Sequence, residues 1–119
     1  MKKTLVLGAS TNPERYSFKA IKMLSTHKHP VVAIGQKNGE VEGVSIQTKT
    51  IPLKNIHTVS LYLNALRQRD YYNYITELKP KRVLFNPGTE NPEFYQLLNA
   101  NGIKYEEACT LVLLSTNQY

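Results

Sequence analysis

The stretch TLVLGASTNPERYS, residues 4–17, decides the fold of this chain. Its first four residues follow a charged lead-in and end at Gly8, which predicts a short strand buried on both faces. The polar segment 8–15 predicts a loop. Ser17 is of a type that caps helices, and the apolar spacing after it predicts a helix to about His27. The stretch therefore indicates a strand, a loop and a helix in succession.

The same alternation of strand and helix continues along the chain. An extended piece is predicted at 44–46, and segment 36–43 indicates a loop with a tight turn at Asn38-Gly39. Strands that alternate with helices are typical of a parallel sheet. We predict an α/β fold in which residues 1–119 form a single domain, with a mainly parallel five-stranded sheet flanked by helices. The further predicted strands are 31–34, 57–63, 82–85 and 103–105, and the further helices are 70–78 and 92–101, which Asn91 caps. Segment 109–114 fits a helix or a strand, and we favour a short helix.

Composition excludes several classes of protein. A hydrophobic fraction of 41% and a charged fraction of 20% argue against a disordered chain. The single cysteine, Cys109, excludes a disulfide framework and a cysteine-based zinc site. No stretch approaches the roughly 20 apolar residues of a membrane span. We expect a cytoplasmic protein with no metal site and no catalytic residue set. The excess of 15 Lys and Arg over 9 Asp and Glu predicts an anionic partner.

Glycine and polar residues recur where the predicted strands end, at Gly8, Gly35, Asn64 and Pro87-Gly88. In parallel α/β sheets, ligands bind beyond the carboxyl ends of the strands. The loop 8–17 leads into a helix N-terminus, which presents free backbone N–H groups and positive dipole charge. Its hydroxyls and guanidinium suit phosphate oxygens, and they belong to Ser10, Thr11, Ser17 and Arg15. Two interpretations stay open, a pyrophosphate cradle and an ordinary strand-to-helix loop with a capped helix.

The loop does not match the dinucleotide-binding fingerprint. The second and third glycines of G-x-G-x-x-G fall on Ser10 and Pro13. The acidic residue that would hold a ribose diol is replaced by Gly35-Gln36-Lys37. The ammonium of Lys37 suits a ribose with an extra phosphate, which is the 2′-phosphate of NADP or the 3′-phosphate of coenzyme A. A solvated surface lysine is the alternative.

The loop G-A-S-x-N-P-x-R-x-S at residues 8–17, with Gly35-x-Lys37 and the later strand ends, resembles small stand-alone CoA-binding-domain proteins. These are similar to the CoA-binding, Rossmann-like domain of the succinyl-CoA synthetase alpha subunit. The resemblance implies a Rossmann-like fold with coenzyme A lying across the strand ends. It places the phosphates near Gly8, Ala9, Ser10, Arg15 and Ser17, with Thr11 as a further hydroxyl donor. It places the adenosine and its 3′-phosphate near Gly35 and Lys37, and the remaining wall at Asn64, Pro87 and Gly88.

The sequence thus predicts a small non-catalytic module that binds coenzyme A or an acyl-CoA. One alternative is an enzyme or sensor that uses NADP(H). Another is a nucleic-acid-binding protein, in which tyrosines of segment 71–74 stack on bases beside Arg67 and Arg69. We favour packing of these tyrosines in an amphipathic helix, because no RNA-binding motif is present. The chain could act as a homodimer or together with a separate enzyme subunit, and the sequence leaves both open.

Overall fold

The computed structural model describes residues 1–119, and their strands form one seven-stranded sheet. The strands are β1 (Thr4–Ala9), β2 (Val31–Gly35), β3 (Gly39–Val41), β4 (Val44–Gln47), β5 (Thr58–Leu61), β6 (Arg82–Phe85) and β7 (Lys104–Glu107). The helices are α1 (Tyr16–Thr26), α2 (Ala65–Gln68), α3 (Tyr72–Leu78), α4 (Pro92–Ala100) and α5 (Thr110–Ser115), and a 3-10 turn (Arg69–Tyr71) joins α2 to α3.

The sheet has the strand order β3-β4-β2-β1-β5-β6-β7. All neighbouring strands are parallel except β3 and β4, so the predicted α/β architecture is confirmed. From β1 the chain first builds outwards through β2 and then returns to the other side of β1 with β5. The order of the strands therefore reverses at β1.

The predicted number of five strands is wrong, because β3 and β4 form an additional antiparallel hairpin at one edge. The turn of this hairpin is Glu42-Gly43, with φ values of 50° and 78°. Two consecutive left-handed residues give the tight twist that a two-residue hairpin turn needs. The turn predicted at Asn38-Gly39 is wrong, since Gly39 begins β3. A Cβ on Gly39 would lie 2.4 Å from Cγ2 of Thr11, so the hairpin begins directly against the loop after β1.

Side chains that alternate along the strands form two separate cores. Leu5 belongs to a larger cluster that includes Ile75 of α3 and Phe94 of α4. Val6 belongs to a smaller cluster that includes Ile21 of α1. The sheet is therefore covered on both faces, which explains the continuous apolar runs of its central strands. No helix has the length and apolarity that crossing a bilayer would require.

Helix starts differ from the prediction at two places. Helix α1 begins at Tyr16, and Ser17 lies buried in its first turn, so the prediction that Ser17 caps this helix is wrong. The predicted helix 70–78 begins instead at Tyr72, as α3. It is preceded by α2, which was not predicted and which Asn64 caps by accepting a hydrogen bond from the Arg67 N–H at 2.9 Å. The Asn91 cap of α4 is confirmed by a 3.2 Å bond from the Phe94 N–H.

The tyrosines near α3 pack against the larger core rather than forming a free surface. The ring of Tyr72 stacks on Phe94 with centroids 4.4 Å apart. The hydroxyl of Tyr74 donates to the Ile51 carbonyl at 2.6 Å. These contacts confirm the packing interpretation of the tyrosine-rich segment.

Two histidines near the amino-terminal ends of the strands make stability sensitive to mild acid. Burial, together with nearby positive charges, lowers the pKa of His29 and of His57. The Nδ1 atom of His29 also accepts the Lys2 N–H at 3.0 Å, which requires that nitrogen to be unprotonated. Because the unfolded chain binds these protons more readily, the contribution of the two rings to stability is complete above about pH 6.5 and is lost as the pH falls below it.

We therefore expect the Tm to fall between about pH 7 and pH 5. The double variant His29→Gln/His57→Gln should show a flatter dependence over this range when melting is followed by circular dichroism. An equally steep fall in the double variant would contradict the assignment to these rings.

Candidate ligand-binding cleft

A cleft of about 790 Å³ lies at the carboxyl ends of the central strands. It is lined by the segments that follow β1, β2, β5 and β6, and thus includes the point where the strand order reverses. Open α/β sheets bind their ligands at such a point. The structure brings all of the predicted cofactor-binding residues to this cleft, namely Gly8, Ala9, Ser10, Thr11, Arg15, Ser17, Gly35, Lys37, Asn64, Pro87 and Gly88. Their contact with a ligand stays a prediction.

Gly8 forms a bulge at the end of β1. Its φ is 98°, and the register with β2 shifts between Leu7 and Ala9. A Cβ on Gly8 would lie 3.0 Å from the carbonyl carbon of Tyr62 and 3.1 Å from Cδ2 of Leu63. Glycine alone fits this backbone angle without strain, and it has no side chain to hold the two segments apart. The bulge therefore lets the loop after β1 lie close to the end of β5.

The loop after β1 is ordered by its own hydrogen bonds. The Asn12 N–H donates to Oγ of Ser10, and the Glu14 N–H donates to Oδ1 of Asn12, both at 3.0 Å. The Arg15 N–H donates to the Asn12 carbonyl, also at 3.0 Å. The loop therefore holds its shape without a ligand, which reduces the entropy lost on binding.

The first turn of α1 is open at this cleft. Its N-cap residue, Arg15, makes no side-chain capping bond, and no acidic residue lies in the first turn. Tyr16 and Ser17 of this turn line the cleft. By contrast, α2 and α4 are capped by Asn64 and Asn91. The N–H groups and positive dipole end of α1 are thus available to an anion.

Three basic residues, Arg15, Lys37 and Arg67, line the cleft, against the single carboxylate of Asp70. None of the three takes part in either ion pair of the molecule, which are Lys22–Glu42 and Arg69–Glu93. The cleft therefore carries unbalanced positive charge.

Arg67 and Gln36 are cleft residues that the sequence prediction missed. The side-chain amide of Gln36 lies against the guanidinium of Arg67. Asn64 is of a type that caps helices, and recognising it would have placed the start of a helix at residue 65. Arg67 would then lie in the first turn of that helix, beside the end of the strand.

The wall from β5 and β6 uses most of its polar groups internally. The side-chain oxygen of Asn64 caps α2. The Gly88 N–H donates to the Glu90 carboxylate at 2.9 Å. The Thr89 N–H and hydroxyl both donate to the Asn86 carbonyl, at 3.0 and 2.7 Å. This wall therefore offers shape more than hydrogen-bond donors, in contrast to the loop after β1.

A buried glutamine joins the two loops of this wall. Gln68 is fully buried, and its Nε2 group donates to the carbonyls of Leu63 and Thr89, each at 2.8 Å. Its Oε1 atom accepts from Asn91 at 2.9 Å. Gln68 was missed by the sequence prediction, because a polar residue in a short helix usually lies at the surface. It positions the loops after β5 and β6 relative to each other.

We expect Gln68→Met to lower the free energy of unfolding by about 2 kcal/mol, because two buried carbonyls lose their donor. Methionine is of similar length, so the change removes hydrogen bonds while creating little empty space. Urea denaturation measures the loss. Gln47→Met at an exposed position is the matched control and should change little. Equal effects of the two substitutions would contradict the positioning role of Gln68.

Tyr62 lines the cleft but is not suited to act as a base. Burial raises the pKa of its phenol to about 12, although the hydroxyls of Ser60 and Thr110 oppose this rise. The hydroxyl is enclosed and has no hydrogen-bond partner of good geometry. The side chain therefore remains protonated at neutral pH.

The strand order and the cleft together define a Rossmann-like α/β protein with its binding site at the strand ends. A family model described as CoA binding domain matches residues 2–115. The chain therefore belongs to the CoA-binding domain family, which confirms the resemblance stated from the sequence.

Solved structures share the fold of the chain. The chain is similar to an uncharacterized protein of known crystal structure, with 46% identity and a TM-score of 0.97, over 100% of this chain and 98% of the other. It is also similar to a hypothetical protein from Pyrococcus horikoshii, with 26% identity and a TM-score of 0.87, over 97% and 82%. A structure titled "cell-free ID.343" from Thermus thermophilus shares the fold at 21% identity and a TM-score of 0.87, over 99% and 90%. No curated protein matches the chain significantly.

Proposed function

We propose that the cleft binds coenzyme A or an acyl-CoA, and that the chain is a non-catalytic binding module. The observation that carries this proposal is the uncapped first turn of α1, which opens on a cleft also lined by Arg15 and Lys37. Membership of the CoA-binding domain family supports the choice of ligand.

The pyrophosphate lies on the loop 8–17 and the first turn of α1. Free N–H groups at a helix N-terminus bind phosphate oxygens, and the dipole favours their negative charge. The bulge at Gly8 lets the ligand approach the backbone, while the guanidinium of Arg15 and the hydroxyl of Ser10 supply side-chain donors.

The 3′-phosphate lies at Lys37, just beyond the end of β2. The adenosine lies beside it, near Gly35 at the end of β2. The pantetheine arm then runs along the wall of Asn64, Pro87 and Gly88, whose donors are largely used within the protein. A wall of this kind suits contact by shape with a flexible, mostly uncharged chain.

Two potentially reactive groups are unsuited to chemistry in the cleft. The phenol of Tyr62 remains protonated, and Cys109 lies outside the residues that line the cleft. We expect the module to act in the cytoplasm, through a second copy of the chain or a partner enzyme subunit.

The NADP(H) alternative rests on Lys37, which would also suit a 2′-phosphate. It is disfavoured because Ser10 and Pro13 occupy the second and third glycine positions of the dinucleotide fingerprint. The nucleic-acid alternative loses its stacking surface, because Tyr72 and Tyr74 are packed against the core.

Isothermal titration of one protein preparation with coenzyme A, acetyl-CoA, dephospho-CoA, NADP and NAD tests the proposal. We expect coenzyme A and acetyl-CoA to bind, dephospho-CoA to bind more weakly, and the nicotinamide dinucleotides to give no signal. Tighter binding of NADP than of coenzyme A would overturn the proposal. Native mass spectrometry of protein purified from cells should show a retained ligand with the mass of coenzyme A or an acyl-CoA.

A further inference from the structure

A second cavity lies at the opposite end of the sheet, near the starts of β5, β6 and β7. Its volume is about 560 Å³. Its lining residues are His57, Lys81, Arg82, Asn99, Lys104, Tyr105 and Glu106. None of them lines the ligand-binding cleft. We call it the basic cavity.

The lining of the basic cavity is not charge-balanced. The cations of Lys81, Arg82 and Lys104 face one carboxylate, that of Glu106. Neither of the two ion pairs of the molecule involves these residues. Two positive charges therefore remain uncompensated within one cavity.

Arg82 and Lys104 are register partners on the adjacent parallel strands β6 and β7. Their side chains thus leave the same face of the sheet side by side. Like charges at paired positions of neighbouring strands are destabilising. The cost would be relieved by an anion that binds between them.

Arg82 is held in place before any ligand binds. Its Nε group donates to Oγ1 of Thr58 at 2.9 Å, and its guanidinium lies 4.5 Å from the centroid of the Tyr119 ring. Its Nη2 group is enclosed and has no hydrogen-bond partner in the protein. The guanidinium is therefore oriented but not fully hydrogen-bonded.

His57 is held beside Arg82 by the same threonine. Oγ1 of Thr58 accepts from Arg82 and lies 2.7 Å from Nδ1 of His57. The threonine hydroxyl therefore links the imidazole to the guanidinium. The cavity thus combines an imidazole N–H with three cationic groups and the amide of Asn99.

Neutralisation of helix dipoles does not account for this arrangement. Lys79, the C-cap residue of α3, already places a cation at the end of that helix. Arg82 and Lys104 instead lie within strands. Their position is therefore not set by the helix ends.

We propose that the basic cavity binds a phosphate dianion, either free or as a compact phosphate monoester. A dianion matches the two uncompensated positive charges, and its oxygens accept from the donors that line the cavity. This site is separate from the cleft proposed for coenzyme A, so either proposal can fail without the other.

Titration with inorganic phosphate tests this proposal, with NMR detection of the His57 ring and sodium chloride at equal ionic strength as the reference. We expect saturable shifts of the His57 signals with phosphate and none with chloride. The pKa of His57 should rise in the complex, because the anion offsets the positive charges that lower it. A parallel titration with methyl phosphate distinguishes the two ligands. Tighter binding of inorganic phosphate identifies free phosphate, and tighter binding of methyl phosphate identifies a monoester.

Lys104→Gln should weaken phosphate binding about tenfold, because it removes one charge-assisted contact. Lys49→Gln, at an exposed position outside both cavities, is the matched control and should bind phosphate normally. Both variants should bind coenzyme A as the unmodified protein does. The proposal is overturned if phosphate acts on His57 no more than chloride, or if Lys104→Gln titrates like the control. A single-stranded oligonucleotide that shifts His57 and is not displaced by phosphate would also overturn it.

Discussion

Lys37→Glu is expected to weaken the binding of coenzyme A about 100-fold, because it removes a charge-assisted contact and adds charge repulsion. The side chain lies just past the end of β2 and lines the cleft. It has no carboxylate partner among the ion pairs of the protein. Its substitution should therefore change affinity and leave the free energy of unfolding nearly unchanged. Isothermal titration and urea denaturation measure the two quantities.

Dephospho-CoA makes this prediction specific to the 3′-phosphate. The unmodified protein should prefer coenzyme A over dephospho-CoA, and Lys37→Glu should abolish that preference. Lys49→Glu makes the same charge change outside the cleft and controls for net charge. An equal loss of affinity for both ligands in Lys37→Glu would mean that this lysine acts elsewhere than at the 3′-phosphate.

Gly35→Ala is expected to lower the free energy of unfolding by about 3 kcal/mol or more, because β1 and β2 have no space for a methyl group between their ends. An added Cβ would lie 2.2 Å from the carbonyl oxygen of Ala9 and 3.1 Å from Cγ2 of Ile46. The closest atom belongs to the backbone of a buried strand and cannot rotate away. The strand ends must separate instead, which should also weaken binding of coenzyme A.

Gly102→Ala is the control for this substitution. Gly102 has a φ of 68° and no atom within 4 Å of an added Cβ. Its replacement should cost only about 1 kcal/mol for the left-handed backbone. Urea denaturation compares the two variants. Similar losses of unfolding free energy in the two variants would mean that the ends of β1 and β2 can separate at little cost.

Much of the fold could be predicted because the central strands carry an unusually clear signal. Strands such as Val31–Gly35 and Arg82–Phe85 are buried within a parallel sheet, so they form continuous apolar runs that end at glycine or asparagine. The same ends carry the predicted cofactor residues. Their convergence on one cleft follows because parallel strands all end at one edge.

The parts that were missed depend on contacts between distant segments. Strand β3 has only one apolar residue, Val41, in three positions, so it shows no strand pattern of its own. Helix α2 has four residues, too few for a visible period. The role of Gln68 depends on two carbonyls that lie 5 and 21 residues away along the chain. Local residue patterns contain no record of such partners.

The contact between Gly39 and Thr11 makes the edge hairpin a spacer. Gly39 follows Lys37 by two residues and lies against the loop after β1, so the hairpin fixes the backbone near Lys37 relative to that loop. Val41 of β3 and Ile46 of β4 belong to the smaller core, so the hairpin is anchored while it lies against this loop. The width of the cleft on this side is therefore tied to the packing of the sheet edge.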